Sequence, residues 1–197
     1  MKDIVAIKAQ LHQYERESRT IAWRFLLELF GENPQRFDIA TLCLHQMIMF
    51  MFVLQEEPYW ERKSEYDDYY AFAQRILQGY QTTYSDCAQL QWELCYFLWY
   101  VPDVFFIQGE TIKITKDGDE IKIRDKIIDD YLENHPDSML FKYIDQIQSE
   151  EKNLNSKIPP DDLSKLIAEV KEWNLQENDA DQEVMDLFTR TGIIGGT

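Results

Sequence analysis

Residues 38–55 read DIATLCLHQMIMFMFVLQ. Set on a helix, this stretch has apolar side chains facing every direction. A helix apolar on all sides is either a membrane span or the centre of a folded core. Thr41, His45 and Gln46 interrupt the pattern, and the unbroken run from Met47 to Leu54 is eight residues. A span needs about 20. The stretch therefore predicts a central, buried helix, with Asp38 as a good N-cap and Pro58 as its stop. Met47, Met49 and Met51 suit gap-filling in such a core.

The neighbouring segments are patterned to cover that helix. Ile4, Ile7, Leu11, Tyr14, Ser18, Ile21 and Phe25 recur at spacings of three and four, widened by Ala22, Leu26 and Leu29. They predict one amphipathic helix of roughly 27 residues, closed by Gly31 and Asn33-Pro34. Tyr69, Phe72, Ala73 and Ile76 form the inner face of a helix over 66–78 with Gly79 at its C-cap. A fourth helix runs from Ser85-Asp86 through Leu90, Leu94, Phe97, Leu98 and Val101 to Pro102.

The period then changes from 3.6 to 2. Thr111-Ile112-Lys113-Ile114-Thr115 and Glu120-Ile121-Lys122-Ile123-Arg124 flank Asp117-Gly118. An Asp-Gly pair between alternating runs predicts a hairpin with a type I′ turn. In that register all four isoleucines share one face. Beyond it the chain is helical again, over 127–132, over 139–147 and from Pro159-Pro160-Asp161-Asp162 onward. Residues 174–183 contain almost nothing to bury and predict an exposed loop. Val184, Leu187 and Phe188 dock a short last helix. The expected fold class is mainly α: one bundle-like helical domain over 1–197, a small β-hairpin within 110–124, and an acidic C-terminal helical segment over 125–191.

The chain holds 36 acids against 20 bases, a net charge of −16. The excess is uneven: 1–60 carries −2, 61–124 carries −4, and 125–197 carries −10. Such a field repels nucleic acid and anionic membrane and steers basic partners inward. Three cysteines, Cys43, Cys87 and Cys95, are too few for a disulfide framework and read as reduced, buried thiols. The N-terminus has no apolar h-region. Together these predict a cytoplasmic protein.

Catalytic patterns are sparse. His12 and Glu15 stand at i, i+3, a spacing that can share a metal. A di-iron bundle needs Glu-x-x-His twice and two further carboxylates, so the two read as a surface pair on the wet side of the first helix. His45 reads as a core histidine. Asp117-Gly118-Asp119 lacks the spacing of a calcium loop. No phosphate loop, nucleophile elbow or Cys-x-x-Cys occurs. No catalytic residue, metal or cofactor is assigned.

His135-Pro136-Asp137 resembles the loop tripeptide of J-domain co-chaperones, which lies between two helices and contacts an Hsp70. The helix before it in that family is basic. Here Asp129-Asp130-Tyr131-Leu132-Glu133 is acidic, which removes that surface. The local reading is a turn: Pro136 ends one helix, and Asp137 or Ser138 caps the next.

Aromatic rings amid acids suit a surface that grips a basic protein, since rings anchor and carboxylates orient. The candidate partner-binding residues are Trp60, Tyr66, Tyr69, Asp67 and Asp68, then Asp129, Asp130 and Glu133, then Glu177, Asp179, Asp181 and Glu183. Size, acidity and reduced cysteines are similar to those of immunity proteins that neutralise basic bacterial toxins. That similarity implies a non-catalytic binding module. The rival expectations are an acidic secretion chaperone or adaptor, a nucleic-acid mimic, and an enzyme whose site is scattered in sequence.

Overall fold

A computed structural model describes residues 3–54, 63–100, 114–116, 119–121, 123–149, 154, 157–173, 175 and 179–194. Among these residues the chain is mainly helical. The elements are α1 (Ile4–Glu17), α2 (Arg19–Glu32), α3 (Phe37–Leu54), α4 (Lys63–Gly79), α5 (Ala88–Tyr100), β1 (Ile114–Lys116), β2 (Asp119–Ile121), α6 (Ile123–Asn134), α7 (Met139–Lys142), α8 (Ile144–Gln148), α9 (Pro160–Lys171) and α10 (Asp179–Arg190). Helix α3 packs against α2, α5, α10 and α4. All ten residues 39–48 are buried. No helix among the described residues is long and apolar enough to cross a membrane.

The single long first helix is not what forms. It breaks at Ser18, whose backbone is extended at φ −169° and ψ 132°, giving α1 and α2. A straight helix of 27 residues would be about 40 Å long, more than the roughly 30 Å diameter of a small domain. The break lets both halves cover the core: Ile7, Leu11 and Leu26 are fully buried, and Tyr14 meets Phe25 edge-on at 5.1 Å. Gly31 lies inside α2 rather than ending it.

The alternation expected over 110–124 does not hold to its C-terminal end. β1 and β2 pair antiparallel over three residues each, with Ile114 opposite Ile121. Residues 110–113, 117, 118 and 122 lie outside the described residues, so the four-isoleucine face is not shown. Ile123 and Arg124 belong to α6. Ile123, Ile127 and Tyr131 are all buried at a spacing of four. This helical period competes with the two-residue alternation and takes Ile123. The segment 139–147 likewise divides into α7 and α8 around Tyr143.

Two buried polar contacts fix how helices meet α3. The Glu93 carboxylate on α5 pairs with His45 Nε2 and accepts from Gln89 Nε2 at 2.8 Å. His45 and Glu93 are 1% and 0% exposed. On the other side, Gln46 donates to the buried Glu15 carboxylate on α1. The sequence placed Glu15 on a wet surface beside His12. It lies 3.7 Å from His12 Nδ1, but it faces the core. Removing one member of a buried pair strands the other, at a cost of about 3–5 kcal/mol. We expect His45→Leu and Glu93→Leu to lose that much singly. The double variant should lose clearly less than their sum, as read by denaturant unfolding. Strict additivity would mean that the pair holds no coupling energy.

The turn between α4 and α5 is locked by Tyr84. Its hydroxyl donates to Pro34 O at 3.0 Å, and Gln91 Nε2 donates to the carbonyls of Tyr80 (2.6 Å) and Tyr84 (3.0 Å). A Cβ on Gly79 would lie 2.7 Å from the Tyr84 ring, whereas one on Gly31 meets nothing within 4 Å. Gly79→Ala should therefore destabilise by about 1–3 kcal/mol through overpacking. Gly31→Ala should stabilise by about 0.5 kcal/mol by restricting the unfolded chain. Thermal unfolding of the two variants should move in opposite directions.

Candidate partner-binding surface

Helix α6 ends in a layer of stacked rings. Tyr131 lies between His135 (centroids 4.2 Å apart, 17° between planes) and Phe141 (3.9 Å, 17°). The stack forms because Tyr131 and His135 are four residues apart, while the His135-Pro136-Asp137 turn folds α7 back beside α6. His135 Nδ1 lies 3.2 Å from Tyr131 O, against the end of the helix.

Neither Asp137 nor Ser138 caps α7 through its side chain. Ser138 holds the N-cap position, but its hydroxyl donates to Glu169 of α9 at 2.7 Å. The same carboxylate accepts from the backbone N–H groups of Met139 (2.7 Å) and Leu140 (3.4 Å). A carboxylate does better here because charge-assisted bonds are stronger than neutral ones.

An aromatic seam attaches this region to the core. Trp92 on α5 donates its indole N–H to Leu140 O at 3.3 Å. Its ring packs against Tyr96, Trp173 and Phe188, with centroids 5.1–5.9 Å apart.

Two clefts adjoin at the end of α6 and share Tyr131 and Asn134 in their walls. The larger, about 480 Å³, runs between the 135–138 turn and the end of α9, under Trp173. Its acids are Asp137, Glu169 and Glu172. The smaller, about 160 Å³, faces the α4–α5 turn and holds Asp130 and Glu133. No lysine or arginine is among the described residues lining either cleft. Asp130 is engaged, accepting from Lys126 Nζ at 2.7 Å and Gln81 Nε2 at 2.8 Å. Partial burial pushes its carboxyl up, yet the hydrogen bonds from Lys126 and Gln81 outweigh this and hold it below its ordinary value.

The residues singled out from sequence fare differently. Tyr66 and Tyr69 are core groups, 8% and 0% exposed; Tyr69 packs toward Trp23 and edge-on against Tyr70, so neither ring offers a free anchor. The alternation of Tyr and Asp over 66–70 is the inner and outer face of α4. Asp67 and Asp68 are on the outer face and line neither cleft. Asp129 and Glu133 are exposed on α6. Trp60 and Glu177 lie outside the described residues. Asp179, Asp181 and Glu183 are in the first two turns of α10, which corrects the loop expected over 174–183. Val184, Leu187 and Phe188 are fully buried, and the helix they anchor extends upstream into acids that its positive N-terminal end favours.

Tyr131, Glu169, Glu172 and Trp173 were not singled out from sequence. The one local signal was spacing: Glu169, Glu172 and Trp173 fall on one side of the end of α9. Among the described residues, no group of three or more His, Cys, Asp or Glu side chains is placed to hold a metal. The three thiols are unpaired, and burial pushes that of Cys87 up to about 11. No family model, no curated protein and no solved structure matches this chain.

Burial, then the neighbouring Glu169 carboxylate, pushes the Tyr131 phenol up to about 12. The folded protein thus holds this proton more tightly than the unfolded chain, whose tyrosines titrate near 10. The resulting stability is complete below about pH 10 and is lost as the pH rises toward 12. Tyr131→Phe keeps the ring stack and deletes the titration. Chemical unfolding at several pH values between 9 and 12 should show a shallower loss of stability in this variant than in the natural protein. Parallel curves would contradict the assignment.

Proposed function

We propose that this chain is a non-catalytic, acidic protein-binding module of the immunity-protein kind, acting in the cytoplasm on a basic bacterial toxin or effector. The observation that carries the reading is the clustering of carboxylates around the end of α6. Glu133, Asp137 and Glu172 are exposed there with no ion pair among the described residues. They sit within the third of the chain that carries a net charge of −10. Gathering like charges this closely costs stability through self-repulsion, and a cationic surface relieves that cost on binding. The mainly helical core offers a rigid platform for them, since the rings beneath the clefts are buried and stacked.

Association with such a partner should be fast and strongly salt-dependent, because exposed charges are screened beyond about 8–10 Å at physiological ionic strength. The test is surface plasmon resonance against the basic protein that co-purifies from the native host. Raising the salt from about 50 to 500 mM should slow association by about tenfold or more. Asp129→Lys with Glu133→Lys should slow association more than it speeds dissociation. An association rate indifferent to salt and to both reversals would leave the acidity as a solubility feature.

A further inference from the structure

We propose that the larger cleft at the end of α6 is the seat for an arginine side chain of the partner protein. This inference rests on the function proposed above and names the contact through which it is exerted. The cleft has about 480 Å³, within the range of pockets that enclose a small group. Its walls are of three kinds, and each matches one part of arginine. Ala88, Pro136 and Trp173 give apolar surface for the methylene stem. His135 and Trp173 bring flat rings to the cleft, against which a planar cation can lie. Asp137 and Glu172 supply carboxylates that no cation of the described chain engages.

The second, independent observation is the Tyr131 hydroxyl. Tyr131 is 7% exposed and lines both clefts, yet among the described residues no hydrogen bond engages its phenol. The ring is held in the core while the hydroxyl opens onto the clefts, where its oxygen is an acceptor for an incoming N–H. The carbonyl end of α6 adds negative potential at the same place. Next door, Asp130 is already paired with Lys126 one turn away on α6, so it is not counted among the acceptors of the larger cleft. Acceptors spread around a cleft, rather than gathered at one point, favour the five donors of a planar guanidinium over a compact ammonium. Glu169 is a positioning residue, since its oxygens already serve Ser138, Met139 and Leu140.

The probes are three fluorescently labelled nonapeptides, rich in arginine, in lysine, or in citrulline, the neutral isostere of arginine. Each is titrated into the full chain at low salt and followed by anisotropy. The arginine peptide should bind about fivefold or more tighter than the lysine peptide, and the citrulline peptide should not bind. Tyr131→Phe, and separately Asp137→Asn with Glu172→Gln, should each weaken arginine binding by about tenfold and erase the preference over lysine. Asp67→Asn with Asp68→Asn removes two exposed charges outside both clefts and should leave that preference intact. Unfolding midpoints near that of the natural protein establish that the variants remain folded. Equal affinity for arginine and lysine peptides, or equal losses in both double variants, would each overturn the proposal. If the co-purified partner binds with full salt dependence but ignores Asp137→Asn with Glu172→Gln, the cleft assignment fails while the binding-module reading stands. If no basic partner binds, the module reading fails, and the peptide preference alone decides what the cleft holds.

Discussion

Helix α3 has no wet face over residues 39–48, and its polar groups must therefore be answered from inside the core. His45 is answered by Glu93 of α5, and Gln46 by Glu15 of α1. Apolar contact is tolerant of small slides and rotations, because hydrophobic surface has no direction. A buried carboxylate is not tolerant, since a misplaced partner leaves a charge in a medium of low polarisability. The two contacts thus pin α1 and α5 to α3 at fixed heights. The remaining helices fill what is left around that frame.

The frame reaches the acidic C-terminal third through aromatic rings. Residues 90–98 of α5 are all buried, and Trp92 lies where α5, α7, the end of α9 and α10 converge. Its indole N–H bonds Leu140 O, at the start of the segment that Glu169 also caps. The clefts at the end of α6 follow from this packing. Trp173 is drawn inward to meet Trp92 and Phe188, which leaves Glu169 and Glu172 beside it on the rim. Tyr131 is held between two rings with its hydroxyl at the cleft rather than in the core. The acidity of this third is therefore shaped as well as abundant. Carboxylates that would repel one another in a featureless cluster are set around a concave surface with aromatic walls.

Much of the fold was legible in the chain, and the misreadings have physical causes. The enclosed helix at 38–55 could be read because an apolar pattern on all sides has few other uses. The end of α9 was legible in kind, since Leu166 and Val170 mark its buried stripe. The break at Ser18 was not, because the apolar spacing continues across it without a fault. Ile123 satisfies a strand pattern with Ile121 and a helical one with Ile127, and nothing local chooses between them. Tyr66 and Tyr69 look like surface anchors among their acids until α4 is seen to turn both inward, Tyr69 toward Trp23 of α2.

Periodicity, capping residues and charge act over a few residues, and these the sequence by itself determined: helices of given faces, a buried α3, and a negative field concentrated toward the C-terminal end. Which face meets which is a matter of contacts between distant residues. His45 finds Glu93, Ser138 finds Glu169, and Trp92 finds Trp173 only when the whole chain closes. The cleft belongs to this second class, because its walls come from α5, α6, the 135–138 turn and α9. Only the tertiary structure placed them together, since a helical repeat specifies that a side must be covered but carries no information about the element that covers it.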